Sequence, residues 1–265
     1  MPKITGVHTE QYFANSTGKT YTFAKSYRGQ VTDDEAIEEL GSNNTIVMQG
    51  TVKSGSGYTA IYSSGDEVTI RIAYSGVVSG DDDGIHCNGN GASVINAGKI
   101  SGLGLYGVWL SGNDSEFINS GKVTGSYGAV HVNQNGSRVV NEKGGLMSAD
   151  DGAVYLHGAA GDNLKFVNHG KVESEYAAIR GTGSNDTVIN DGKIVGYIWL
   201  EDGNDKVDTR GGKITTGSVY GGAGNDTLIT HKAGYKLLED PGAGQGYDTV
   251  RATVTYTLSD NVEQL

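Results

Sequence analysis

The chain has 265 residues, with 43 glycines, only 2 prolines and 36% apolar residues, which excludes a collagen repeat and a proline-rich disordered chain. No run of 18 apolar residues occurs, so no membrane-spanning helix is expected. The 31 acidic against 20 basic residues give a formal charge of -11, which argues against nucleic acid as a partner and favours cations.

The single cysteine, Cys87, rules out an intrachain disulfide framework. No basic-then-apolar leader opens the sequence, so the chain is expected to be cytosolic or to leave the cell without an N-terminal signal. Residues 1–44 lack the repeat that follows. Within them Thr32-Asp33-Asp34-Glu35 reads as a capping box, and Ala36, Ile37 and Leu40 stand at helical spacing. This predicts an N-terminal cap over 1–44 with a short helix at Thr32–Leu40, shielding the first coil from water and from edge pairing.

Over 45–265 the sequence predicts an all-β fold, a single right-handed parallel β-helix. Gly-x-Ile/Val/Leu recurs eight times from Gly50-Thr51-Val52 to Gly212-Lys213-Ile214, at a mean spacing near 23 residues. A short apolar strand precedes most copies, as in Val94-Ile95 and Phe166-Val167, and a third strand follows, centred on residues such as Ile61, Val108 and Ile198. Three short strands per repeat, joined by Gly, Asn, Asp and Ser turns, describe one coil, which buries its inward residues only when stacked on its neighbours. The handedness follows the known bias of parallel crossovers. Asn96, Asn119, Asn141, Asn168 and Asn190 each follow an apolar pair and are expected to form a side-chain ladder. Lys99, Lys122, Lys171, Lys193 and Lys213 read as a solvated stripe. The alternation from Val250 to Leu258 predicts a half-buried strand.

Strand side chains alternate, so the residue after each inward apolar residue of the third strand points outward. Down the stack these are Tyr62, His86, Trp109, His131, Tyr155, Arg180, Trp199 and Tyr220. A column of large planar or cationic side chains suits a polysaccharide-binding face, with rings stacking on sugars and Arg180 meeting a carboxylate. The same column equally suits packing, including the interface of a homo-oligomer. Tyr106, Tyr127, Tyr176 and Tyr197 form a second column beside it, and Cys87 falls on the inward side as a core residue.

Near the C-terminus, Gly221-Gly222-Ala223-Gly224-Asn225-Asp226-Thr227-Leu228-Ile229 matches the nonapeptide G-G-x-G-x-D-x-U-x, where U is a large apolar residue. Degenerate copies place Asp186, Asp205 and Asp248 in phase with Asp226, each two residues before a valine or leucine. This stretch, about 181–250, resembles the haemolysin-type calcium-binding repeats of RTX proteins. The resemblance implies calcium as cofactor, held by Asp186, Asp205, Asp226 and Asp248 with Gly222, Gly224 and Gly246 shaping the turns. It also implies secretion through a type I exporter that reads a C-terminal signal. The sequence ends at Leu265 without an obvious one, an expected mark of a segment of a larger secreted protein. Right-handed β-helix polysaccharide lyases and uronan epimerases place acid, His and Arg on such a face, and Asp83, His86, His131, Asp151 and Arg180 are the matching types here. No Asp-Pro-His element like theirs is present. Catalysis is therefore the alternative to a calcium-stabilised module that binds polysaccharide or serves as a structural segment.

Overall fold

Twelve parallel strands, one from each coil, stack into a single sheet, and nineteen more form the other two faces of a β-solenoid. The structure is a computed structural model that describes residues 3–239 and 246–265, and every regular element among them is a strand. Every strand pairing is parallel, with partners separated by 18 residues (Ser218↔Lys236) to 27 residues (Arg138↔Lys165). The strands keep register while the turns absorb the difference, because a one-residue slip would turn each inward side chain to water.

Ser93–Asn96 shows how sequence becomes coil. Val94 and Asn96 point inward and are buried, while Ser93 and Ile95 are partly exposed. Val94 stacks on Ile70 above and Phe117 below. Repeated on three faces, this alternation fills one continuous core from Phe23 to Val262. At the corner after this strand the five asparagines stack as expected. Asn96 Nδ2 donates to Asn119 Oδ1 at 2.8 Å, Asn119 to Asn141 at 2.9 Å, Asn141 to Asn168 at 2.9 Å and Asn168 to Asn190 at 2.8 Å. Buried amides are tolerable only because each is paired along the stack. Asn141→Leu is expected to break both ladder bonds, leaving Asn119 Nδ2 and Asn168 Oδ1 only their longer bonds of 3.2–3.3 Å to the backbone. The cost should be about 2–4 kcal/mol in urea unfolding, and a loss below half a kcal/mol would show that the ladder is ornamental.

The helix expected over Thr32–Leu40 is not formed. Residues 20–39 instead enter the stack as strands. Thr20–Phe23 pairs with Thr45–Met48, and Ile37–Glu39 pairs with Ile61–Ser63. Ile37 and Glu39 point inward and Leu40 is 46% exposed, a period of two rather than of a helix. Glu39 is buried at a turn, where its carboxylate accepts from Gly41 N–H (2.8 Å), Asn44 Nδ2 (2.6 Å) and Ser63 Oγ (2.7 Å). Ladder bonds to the next coil outweigh the local capping signal. At the other end only Thr249–Ala252 is strand. Val250 is buried, Val254 is exposed, and Tyr256 and Val262 return to cover the core.

Candidate metal turns and the outward aromatic face

One inward column changes character along the stack. Read from the strand registers it runs Val68, Ala92, Ser115, Ser137, Leu164, then Asp186, Asp205, Asp226 and Asp248, all buried. The four aspartates thus replace apolar or small residues at a position facing the interior. Asp205, Asp226 and Asp248 each use one carboxylate oxygen to tie the coils together, whereas Asp186 Oδ1 accepts from Ser184 Oγ in its own turn at 2.8 Å. Asp186 N–H donates to Asp205 Oδ1 at 2.6 Å, Asp205 N–H to Asp226 Oδ1 at 2.7 Å and Asp226 N–H to Asp248 Oδ1 at 2.8 Å. Asp248 N–H ends the series on Glu263 Oε2 at 2.7 Å.

The second oxygen, Oδ2, of all four aspartates is buried without a hydrogen-bond partner. Among the described residues no ion pair reaches them. Burial therefore pushes the carboxyls up, Asp186 and Asp226 to about 7 and Asp205 to about 9, with neighbouring acids adding to Asp205. Asp248 is raised for the same reason. A row of oxygens with no donor is the chemistry that a hard divalent cation satisfies.

The glycines fit this role. Gly203, Gly222, Gly224 and Gly246 all have positive φ. A Cβ on Gly224 would strike the Gly203 carbonyl oxygen, and one on Gly246 the Gly224 carbonyl oxygen, so only glycine allows the turns to nest. A Cβ on Gly221 would fill the space beside Asp226 Oδ2 and Glu239 Oε1, and one on Gly181 the space beside Asp186 Oδ2. Gly181 thus takes the place of the first motif glycine at Asp186. Gly244 and Gln245, which open the last motif copy, lie outside the described residues.

Glu239 escaped the sequence reading. Asp226, Glu239 and Asp248 bring ligand oxygens within 4.8 Å of one another, and Glu239 Oε2 also accepts the Gly222 N–H at 2.9 Å. Glu239 lies outside the nonapeptide and only coil stacking carries it to the turn, so no spacing rule points to it.

The outward column is in register from Tyr62 to Tyr220, but it is not evenly open. Its middle is sealed by its own rings. Tyr155 is 0% and His131 8% exposed. Tyr127 stacks on Tyr155 (5.1 Å, 15°), and Tyr106 lies over His131 at 4.6 Å. Glycine makes this possible, because a Cβ on Gly128 would run into the rings of Tyr106 and Tyr155. Toward the first coils His86 stacks on Trp109 at 4.2 Å and its Nε2 meets Ser111 Oγ at 3.1 Å. His157, absent from the sequence reading, packs edge-on to His131 (4.9 Å) and Tyr155 (5.0 Å). Burial pushes His86 down to about 4, and burial with its histidine neighbours pushes His131 down to about 3. Cys87 is buried in the core, and its thiol is pushed up to about 12, as suits an inert packing residue.

The column opens around Arg180. Asp151, Tyr176, Arg180, Tyr197, Trp199 and Tyr220 line a cleft of about 390 Å³. Arg180 Nε pairs with Glu201 Oε1 at 3.5 Å, and Asp151 Oδ2 accepts from the Tyr155 hydroxyl at 2.8 Å. The Lys stripe stands on the second face in register, Lys99 on Lys122 and Lys171 on Lys193, with Lys171 paired to Glu173. No helix among the described residues is long and apolar enough to cross a membrane. No family profile, curated protein or solved structure matches the chain.

Proposed function

We propose that this chain is a calcium-stabilised β-solenoid module of a secreted protein that binds carbohydrate on its outward aromatic face. The observation that carries the reading is the cleft around Arg180, where exposed aromatic rings meet a guanidinium and a carboxylate on one rigid sheet. Rings of this kind cover the apolar face of a sugar while the charged groups meet its hydroxyls. Calcium would sit against the Oδ2 atoms of Asp186, Asp205, Asp226 and Asp248, with Glu239 beside the last pair, and would neutralise four aspartates that no ion pair reaches among the described residues. Extracellular placement and type I export come with the RTX resemblance and belong to the same proposal.

The lyase or epimerase alternative has less support. His86 and Arg180 stand four strand steps apart in the column, roughly 19 Å at strand spacing, too far to act on one sugar ring. His131 and Tyr155 between them are buried. A glycan array probed with the calcium-loaded protein and with a Trp109→Ala/Trp199→Ala double variant tests the proposal. Binding by the parent and loss of at least tenfold in the variant is the expected result. If nothing binds, the face is packing surface and the module is structural.

A further inference from the structure

The coil carrying Arg180 is irregular. Lys171–Arg180 pairs with Lys193–Trp199, but the register shifts between Glu173 and Ala177 and again between Ala177 and Ile179. Residues 174–176 of the longer strand face only Gly196 of the shorter, and Gly196 makes the corner with φ of 123°. Bulges of this kind re-aim side chains next to functional sites. Here they leave Tyr176 68% exposed and Tyr197 well exposed, beside Trp199 at 48%. Trp199 is tilted 37° to Tyr220, and Tyr197 stands at 68° to the same ring. None of these rings is stacked face to face on another, so their faces remain open to a ligand.

The charges at the rim choose among ligands. Arg180 is already paired with Glu201, and Asp151 lines the cleft as a second carboxylate. Two acids against one guanidinium, on a chain of net charge -11, disfavour an anionic sugar. A neutral sugar suits the set, since its hydroxyls donate to the carboxylates and accept from the guanidinium while its C–H face lies on Trp199. The volume, about 390 Å³, lies at the small end of ligand clefts. The sealed middle of the column offers a longer chain neither the His131 nor the Tyr155 ring.

From this geometry we infer that the Arg180 cleft is a discrete subsite for a neutral saccharide of one or two rings. The inference rests on the carbohydrate reading above and narrows it. Trp fluorescence of the calcium-loaded chain is titrated with cellobiose, maltose, lactose and digalacturonate at physiological salt. At least one neutral disaccharide should perturb the emission and bind at least tenfold more tightly than digalacturonate. Trp199→Ala should weaken that binding at least tenfold by calorimetry. Tyr176→Ala, at a side chain whose removal leaves the core untouched, should weaken it several-fold. Tyr74→Ala, 91% exposed and outside the outward column, should not. Tighter binding of digalacturonate would overturn the neutral class and leave carbohydrate binding standing. Neutral binding that survives both cleft variants would overturn the location. Failure of all four sugars here, together with an empty glycan array, would remove this inference and the proposed function at once, whereas array hits confined to acidic or long glycans would remove this inference alone.

Discussion

Asp226→Asn is expected to stabilise the metal-free protein at pH 8 and to gain far less stability than the parent from saturating calcium. Asp226 is buried, its Oδ2 has no partner, and burial lifts its carboxyl to about 7. The folded state therefore holds a proton that the unfolded chain releases near its ordinary value of 3.8. Stability from such a group is complete in acid and is lost as pH rises from about 4 through 7, and through about 9 for Asp205. At pH 8 the metal-free parent carries a buried, uncompensated charge at Asp226. Asparagine removes the charge and keeps Oδ1 as acceptor for the Asp205 N–H, now 2.7 Å away. The gain should be roughly 2–4 kcal/mol. With calcium at a hundred times its dissociation constant the parent gains about 2.7 kcal/mol per site, and the variant, short of one charged ligand, gains far less. Urea unfolding in EGTA and in calcium measures both effects. A variant less stable than the parent without metal, or an equal calcium gain in the two, would defeat the metal assignment. Hydrogen exchange should place the calcium response in the coils from Asp186 onward, and protection gained evenly along the chain would contradict a local site.

What the sequence discloses depends on whether the signal repeats. The asparagine ladder is legible because five successive coils place the same amide after an apolar pair, and the aspartate column because its members share a nonapeptide phase. The outward column is legible because strand alternation needs only the inward residue to be identified. The first coils are not legible because strong local capping residues, Thr32 to Glu35, coincide with turns of irregular length, and only pairing of Ile37–Glu39 with Ile61–Ser63 reveals the strand. Glu239 could not be read because it reaches Asp226 and Asp248 through stacking rather than through sequence distance. The sealing of Tyr155 was hidden for a related reason. It depends on Gly128, a residue in the neighbouring coil whose missing side chain makes room for two rings.

His131→Phe is expected to stabilise the protein by about 2–3 kcal/mol at pH 5 and by about 1 kcal/mol at pH 7.5. His131 is buried, and neither ring nitrogen has a hydrogen-bond partner. Its neighbours are rings. Trp109 stacks at 5.5 Å, Tyr106 tilts over it at 4.6 Å, and His157 and Tyr155 meet it edge-on. The unfolded chain takes up a proton near 6.5, while burial holds the folded imidazole neutral down to about 3. Stability from His131 is thus present above pH 6.5 and is lost as pH falls below it, at about 1.4 kcal/mol per unit. His86, depressed to about 4, loses stability over the same window, and burial and Arg180 lower His157 as well. The aspartate column moves in the opposite direction in metal-free protein, but it is common to parent and variant and cancels in their difference. Phenylalanine fills the aromatic site with no buried nitrogen to leave unpaired and no proton to refuse. Urea unfolding of both proteins at the two pH values gives the comparison. If parent and variant lose stability in parallel on acidification, the folded imidazole is being protonated, and the outer aromatic cluster is more open to water than its packing indicates.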